Sequence, residues 1–242
     1  MRTVAIVQAR MGSTRLPGKA LVDICGTTML SRVVERTRRA RLLDETIVAT
    51  TTSRLDDAIT RECSQLGVPV FRGSEEDVLD RYYRAAAEYK AESVVRITAD
   101  CPLIEPQIVD RVVSEFLHRQ PEIDYASNVL PERTFPRGLD SEVIRLDALE
   151  KAWHQTEDPA CREHVTLYIE RNPQLFHIHG VSNETNYSQM RWTVDTPEDL
   201  AFVRQIYGSF GHDRFSWQEV LDALERHPEW MEVNKHVRQK VV

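Results

Sequence analysis

The chain has 242 residues, 41% of them hydrophobic and 29% charged, a composition that can bury a sizeable core without disulfides or metal staples and argues against disorder. Its 31 basic and 38 acidic residues leave a net charge of −7, which argues against non-specific nucleic-acid binding. No stretch approaches the ~20 apolar residues of a membrane helix, so no membrane contact is expected. The start, MRTVAIVQARMG, becomes charged too early for a secretion leader, so the expectation is a cytoplasmic protein with Cys25, Cys63, Cys101 and Cys161 reduced. His177 and His179 alternate along a predicted strand and read as one strand face rather than a zinc site.

Short β-branched runs alternate with helical spacing through the first half. Strands are predicted at Thr3–Gln8, Thr46–Thr50, Val68–Phe71 and Ser93–Thr98, with helices at Met29–Ala40, Asp56–Leu66, Val78–Lys90 and Gln107–Arg119. This alternation predicts βαβ units, an α/β fold with a mostly parallel sheet and helices on both faces. The second half is less regular. Strands are expected at Asp124–Asn128, Glu142–Arg145, Leu175–His179 and Met190–Val194. Helices are expected at Leu146–Gln155, Ala160–Glu170, Pro197–Tyr207 with Thr196 as N-cap, and Ser216–Glu225 with Ser216 and Glu219 in capping-box register. The reading is a single domain over 1–242, with an α+β insertion at about 125–190.

Ligands of open parallel sheets bind beyond the carboxyl ends of the strands. The first such loop, Gln8-Ala9-Arg10-Met11-Gly12-Ser13-Thr14-Arg15-Leu16-Pro17-Gly18-Lys19, holds three cations, two glycines and two hydroxyls. Glycines let backbone N–H groups turn toward an anion and cations neutralise it, so a polyphosphate is the expected guest. A P-loop does not fit: five residues separate Gly12 from Gly18, and Ala20 stands where the metal-binding hydroxyl belongs. The glycine spacing also fails the dinucleotide fingerprint.

Two aspartates end predicted strands. Asp100 precedes Cys101-Pro102-Leu103, and Asp195 precedes Thr196-Pro197-Glu198-Asp199-Leu200. Each could hold a hard cation such as Mg²⁺ together with phosphate, or could simply cap a helix.

QARMGSTRLPGK resembles the signature of nucleotide-sugar nucleotidyltransferases, above all the cytidylyltransferases acting on Kdo and acylneuraminate, and is most similar to the spore-coat polysaccharide biosynthesis branch. The resemblance implies a Rossmann-like sheet of the nucleotidyltransferase (GT-A-like) type. It implies that Arg10, Arg15 and Lys19 grip the triphosphate as catalytic cations, and that main-chain groups at Ala9, Met11, Gly12 and Ser13 approach the nucleotide. Asp100-Cys-Pro-Leu and the later Asp-x-Pro-Glu-Asp-Leu are similar to the family's metal-binding elements, so Asp100 and Asp195 would hold Mg²⁺. Thr98-Ala99 departs from the family's glycine-containing lead-in, which bears on how closely that loop approaches CTP.

Phe71-Arg72-Gly73-Ser74 and the helix after it resemble the family's nucleobase segment, which implies Arg72, Ser74 and Arg81 near the base. The competing reading of Arg81 is an i, i+4 ion pair with Asp77 on a solvated helix. Arg137-Gly-Leu-Asp140-Ser-Glu142 resembles the acceptor element. Arg137 could meet an acceptor carboxylate bidentately, and Asp140 and Glu142, alternating along one strand face, could hold sugar hydroxyls; an edge-strand charge pattern is the alternative. His164, in Glu-His-Val-Thr, is carried over to the acceptor pocket or the insertion's contact surface. The implied activity is Mg-dependent transfer of CMP from CTP to an acidic sugar with release of pyrophosphate, by a homodimer, in surface or spore polysaccharide biosynthesis. Two other readings stay open: a GT-A glycosyltransferase, although the sequence has no D-x-D, and a non-catalytic nucleotide-binding subunit.

Overall fold

The computed structural model describes residues 1–239. Seven strands form one sheet in the order β3-β2-β1-β4-β6-β5-β7. They are β1 (Thr3–Gln8), β2 (Glu45–Thr51), β3 (Val70–Gly73), β4 (Ser93–Thr98), β5 (Tyr125–Ser127), β6 (Glu142–Arg145) and β7 (Ile178–Gly180). β1 to β4 run parallel, β6 runs antiparallel between β4 and β5, and β7 is parallel to β5. The second half therefore extends the main sheet by three strands.

The helices are α1 (Met29–Thr37), α2 (Asp57–Leu66), α3 (Val78–Glu88), α4 (Pro106–His118), α5 (Leu146–Gln155), α6 (Pro159–Glu163), α7 (Leu167–Arg171), α8 (Pro197–Phe210) and α9 (Trp217–Arg226). Alternation of side chains across the strands divides the core. Ala5, Val7, Val48, Val95 and Ile97 face α1, α2, α4 and α8, with Leu30, Val33, Ile59, Val112 and Val203 among the buried partners. Val4, Ile6, Ile47, Val94 and Ile144 face α3 and α5, meeting Leu79, Tyr82, Ala86 and Leu149. With both faces covered, the central strands read as continuous apolar runs. Strand order reverses between β1 and β4, so the loops leaving them flank the crevice where such sheets bind ligands.

Three expected elements differ. The strand expected at Leu175–His179 forms at Ile178–Gly180, so His177 lies outside it and does not share a strand face with His179. Ala160–Glu170 is not one helix: it breaks between α6 and α7. The break lets Val165 point into the core at 0% exposure while the Thr166 hydroxyl reaches Glu142 at 3.2 Å. Met190–Val194 is not a strand. Arg137 N donates to Met190 O (2.9 Å) and Trp192 N to Arg137 O (2.7 Å), but Val194 N turns to Asp100 O (2.8 Å). The segment thus crosses from one neighbour to another instead of laddering along either. Gly138 permits this crossing: its φ is +109°, and a Cβ there would lie 2.7 Å from Thr193 N.

Candidate active site

The loop after β1 is pinned at both ends. Met11 O accepts from Ser13 N (2.8 Å) and Gly18 N (3.3 Å), folding the chain back on itself. Gly18, at φ +68°, precedes a single 3₁₀ turn, Lys19–Leu21, that carries Lys19 inward. Met11 N donates to Asp56 Oδ1 (2.7 Å); Asp56 is buried and also accepts from Thr50 Oγ1 and Thr51 N, each at 3.1 Å. The N–H groups of Ala9, Met11 and Ser13 are thereby used within the protein, whereas those of Arg10 and Gly12 donate to no group among the described residues. Arg10 and Arg15 are exposed.

Lys19 Nζ lies between the two aspartates. It donates to Asp100 Oδ2 (2.8 Å), Asp195 Oδ1 (2.9 Å) and Val194 O (3.2 Å). Arg15 reaches the same Asp195 oxygen at 3.0 Å. Burial penalises the ammonium, but the two carboxylates outweigh it and raise its pKa. Burial likewise opposes ionisation of Asp195, and Lys19, Arg191 and Arg15 reverse that, holding its carboxyl below the ordinary range. Neither aspartate caps a helix. The N-cap of α4 is Glu105, and its first proline is Pro106, so Pro102 lies in the preceding turn. The N-cap of α8 is Thr196, which forms a capping box with Asp199. The carboxylates of Asp100 and Asp195 are thus left to face Lys19.

Two hard carboxylates converging on one cationic nitrogen form a donor set suited to a divalent ion. Among the described residues no third His, Cys, Asp or Glu joins them. Further ligands would have to come from phosphate or water.

Among the residues expected near the base, Arg81 is 2% exposed and packs against Gly73, where a Cβ would lie 3.1 Å from Arg81 Cγ. One guanidinium nitrogen donates to Ser74 O while Nε has no partner among the described residues. Burial, reinforced by Arg10 nearby, lowers its pKa. The ion pair with Asp77 does not form: Asp77 caps α3 through Asp80 N (2.8 Å) and pairs with Arg162. Arg72 is engaged elsewhere. Its three nitrogens bind Thr51 O, Asp57 and Ser53 O at 2.7–2.9 Å, clasping the β2–α2 turn. Ser74 Oγ accepts from Asp77 N (3.0 Å).

The acceptor-side residues separate. Strand β6 begins at Glu142, so strand alternation does not extend back to Asp140. Asp140 receives both Nη atoms of Arg133. Glu142, 5% exposed, sits in a buried network with Arg96 opposite it on β4, Tyr125 Oη (2.7 Å) and Thr166. Glu170 joins through Tyr125 Oη (3.2 Å); burial and the like charge of Glu142 raise its pKa. Arg137 is half-buried, and its guanidinium has no hydrogen bond among the described residues. Burial and then the neighbouring Arg133 lower its pKa. His164 is half-buried at the α6–α7 break, two residues before Thr166.

Sequence reading missed Asp56, Arg96, Arg133 and Arg191. Arg191 Nη2 holds Asp195 Oδ2 (2.9 Å) while its Nε and Nη2 grip Asp199 at 2.8 and 2.9 Å. Arg96 had a signal, a lone charge in an apolar strand. Arg133 and Arg191 pair with Asp140, Asp195 and Asp199 four to eight residues away across irregular segments, where no helical or strand spacing announces the contact, and Asp56 reaches Met11 forty-five residues earlier.

An open α/β sheet with a cationic loop at its switch point, opposed by two carboxylates, has the outline of an enzyme acting on a nucleoside triphosphate. Comparison with known proteins specifies it. Residues 4–226 match the family model described as "Cytidylyltransferase". The spore coat polysaccharide biosynthesis protein SpsF of Bacillus subtilis is 32% identical over 93% of this chain and 94% of its own. A 3-deoxy-manno-octulosonate cytidylyltransferase of Geobacter sulfurreducens is 31% identical over 72% of this chain and 78% of its own. The solved structure of a cytidylyltransferase from Leptospira borgpetersenii superposes at TM-score 0.92, with 35% identity, covering 100% of this chain and 99% of that one. The chain belongs to the cytidylyltransferase family and is a nucleotidyltransferase.

Proposed function

We propose that the protein transfers CMP from CTP to a sugar bearing a carboxylate, with Mg²⁺ and with release of pyrophosphate, in the building of a surface polysaccharide. The observation that carries this reading is the convergence of Asp100 and Asp195 on Lys19 at the mouth of a loop that also bears Arg10 and Arg15. The acceptor oxygen attacks the α-phosphorus of CTP, the bond from that phosphorus to the bridging oxygen breaks, and the acceptor's proton passes to solvent. Charge grows on the departing pyrophosphate, and Arg10, Arg15 and Lys19 supply the cations that stabilise it. The free N–H groups of Arg10 and Gly12 add donors for phosphate oxygens. Asp100 and Asp195 would hold a divalent ion, which would supply positive charge against the triphosphate.

For the acceptor, Arg137 is a half-buried guanidinium lacking an acceptor group and standing near two further arginines, Arg133 and Arg191. A half-buried guanidinium with no hydrogen-bond partner among the described residues favours an anionic guest, and a carboxylate fits its fork bidentately. The named roles of SpsF and of the octulosonate cytidylyltransferase support a pathway of surface sugars.

The test is pyrophosphate release from each of CTP, UTP, GTP and ATP with a panel of acidic and neutral sugars. Release from CTP with an acidic sugar and Mg²⁺ supports the proposal. Asp100→Asn and Asp195→Asn are expected to abolish it while leaving the circular dichroism spectrum unchanged. Full turnover in both variants would remove the metal assignment.

A further inference from the structure

The segment carrying Asp195 is not laddered into the sheet, so something else must fix it. Asp199 is fully buried, and its carboxylate accepts five hydrogen bonds: from Arg191 Nε (2.8 Å) and Nη2 (2.9 Å), Asp195 N (3.0 Å), Thr196 N (3.1 Å) and Asn234 Nδ2 (3.0 Å). Asn234 Nδ2 also donates to Arg191 O at 3.0 Å, and Gln239 Oε1 accepts from Arg191 Nη1 at 2.6 Å. Asn234 itself is 4% exposed. It lies beyond residue 226, where the match to the family model ends.

We infer that Asn234 is a positioning residue for nucleotidyl transfer, acting through Arg191 and Asp199 to aim the Asp195 carboxylate. Asp195 is held at two points by this clamp, its N–H on Asp199 and its Oδ2 on Arg191. With Oδ2 engaged, Oδ1 is the oxygen turned to Lys19 and Arg15. Asn234 closes the clamp from the far side: one side-chain nitrogen ties the Arg191 main chain to the Asp199 carboxylate. Removing it takes one donor from Asp199 and one from the Arg191 carbonyl, which loosens the pair, and Asp195 shifts with it. A displaced ligand oxygen weakens divalent binding before it weakens nucleotide binding, because the cationic loop is held separately by Asp56. The inference rests on the proposed role of Asp195 as a metal ligand.

The experiment compares wild type, Asn234→Ala and Leu221→Ala. Leu221 is a partly buried residue of α9 packed on the core and serves as a control that loses stability without touching the clamp. Divalent binding is read directly as bound Mn²⁺ by electron paramagnetic resonance in the presence of CTP, and indirectly as the Mg²⁺ dependence of pyrophosphate release. Asn234→Ala is expected to weaken Mn²⁺ binding about tenfold, the equivalent of one hydrogen bond to a charged group. Excess metal should restore most of kcat, and KM for CTP should stay within about twofold at saturating metal. Leu221→Ala should lower Tm without moving the metal constant. An unchanged Mn²⁺ constant in Asn234→Ala overturns the inference, as does a loss of kcat that excess metal does not rescue. Wild type that releases pyrophosphate from CTP while Asn234→Ala binds Mn²⁺ normally removes the clamp and leaves the function standing. Wild type without CTP-dependent release removes the function, and the Mn²⁺ ratio still reports on the clamp.

Discussion

Replacing Lys19 by Met tests the electrostatics of the site most directly. Lys19 Nζ makes two charge-assisted hydrogen bonds, at 2.8 and 2.9 Å, to carboxylates whose side chains are 26% and 11% exposed. Such bonds contribute ~1.5–3 kcal/mol each, and relief from desolvating the ammonium returns part of that. The net loss in Lys19→Met should be ~2 kcal/mol, or ~4–8 °C in Tm for a domain of this size. The sign of the pH dependence follows from the shifts. Lys19 has its pKa raised above its ordinary 10.5, so its contribution is fully present below that value and is lost only as pH rises through the folded one. Asp195 is depressed below its ordinary 3.8, so its contribution is present above that value and is lost as pH falls through the folded one. The gap between wild type and variant should therefore be flat from about pH 5 to 9 and close under more acidic conditions. Charge balance gives a second readout. In wild type, Lys19, Arg15 and Arg191 offset Asp100, Asp195 and Asp199. Removing one cation leaves the pocket net negative, so millimolar Mg²⁺ without nucleotide should raise the Tm of the variant and leave that of wild type nearly unchanged. Scanning calorimetry across pH, with and without Mg²⁺, reads both. A variant with wild-type Tm and no gain from Mg²⁺ would refute the reasoning.

Three further outcomes follow from the geometry. Arg137→Ala should raise KM for a carboxylate acceptor by ~10–100-fold, the range expected for losing a bidentate charged pair, with KM for CTP nearly unchanged; equal changes in both would place Arg137 outside the acceptor pocket. Glu170→Gln should be more stable than wild type at neutral pH. The raised folded pKa of Glu170 means that ionising it disfavours the fold, so the advantage should disappear as pH falls toward the ordinary carboxylate range; thermal melts that show no crossover remove the buried like-charge argument. Gly138→Ala meets a backbone at φ +109° and a 2.7 Å approach to Thr193 N, and should destabilise by at least ~2 kcal/mol. Because the same contact supports the segment leading to Asp195, its kcat should fall as well, measured at a temperature where the variant is folded.

What was legible in the sequence was what local pattern controls. β1, β4, β6 and α5 fall at the expected residues because apolar periodicity and flanking polar turns fix them within a few positions. Thr196 and Ser216 cap their helices as read, since a capping box is a four-residue device. The failures are non-local. Met190–Val194 has strand-like composition, yet its hydrogen bonds are divided between Arg137 and Asp100, each more than fifty residues before the segment. Arg81 and Asp77 have the spacing of a surface ion pair, but Arg81 lies on the buried side of α3 because Gly73 leaves room for its stem. Asp56 was legible as the start of a helix and illegible as the anchor of the loop after β1, since its partner Met11 is forty-five residues earlier.

The two aspartates are built to different tolerances, and the difference bears on how the site can fail. Asp100 follows β4, a central strand paired along its whole length with β1 and at Ser93–Arg96 with β6. Its carbonyl accepts from Val194 N at 2.8 Å and from Thr193 Oγ1 at 3.1 Å, so the main chain at Asp100 is the fixed point against which the later segment is registered. Asp195 has no ladder and depends on side chains of Arg191, Asp199 and Asn234, each of which must itself be held. A perturbation anywhere in that chain moves Asp195 relative to a stationary Asp100. The distance between the two carboxylates is therefore set by Lys19, which bonds both, and by the clamp behind Asp195, so substitutions around α8 and the segment after α9 should alter metal dependence, whereas substitutions around β4 should alter folding first.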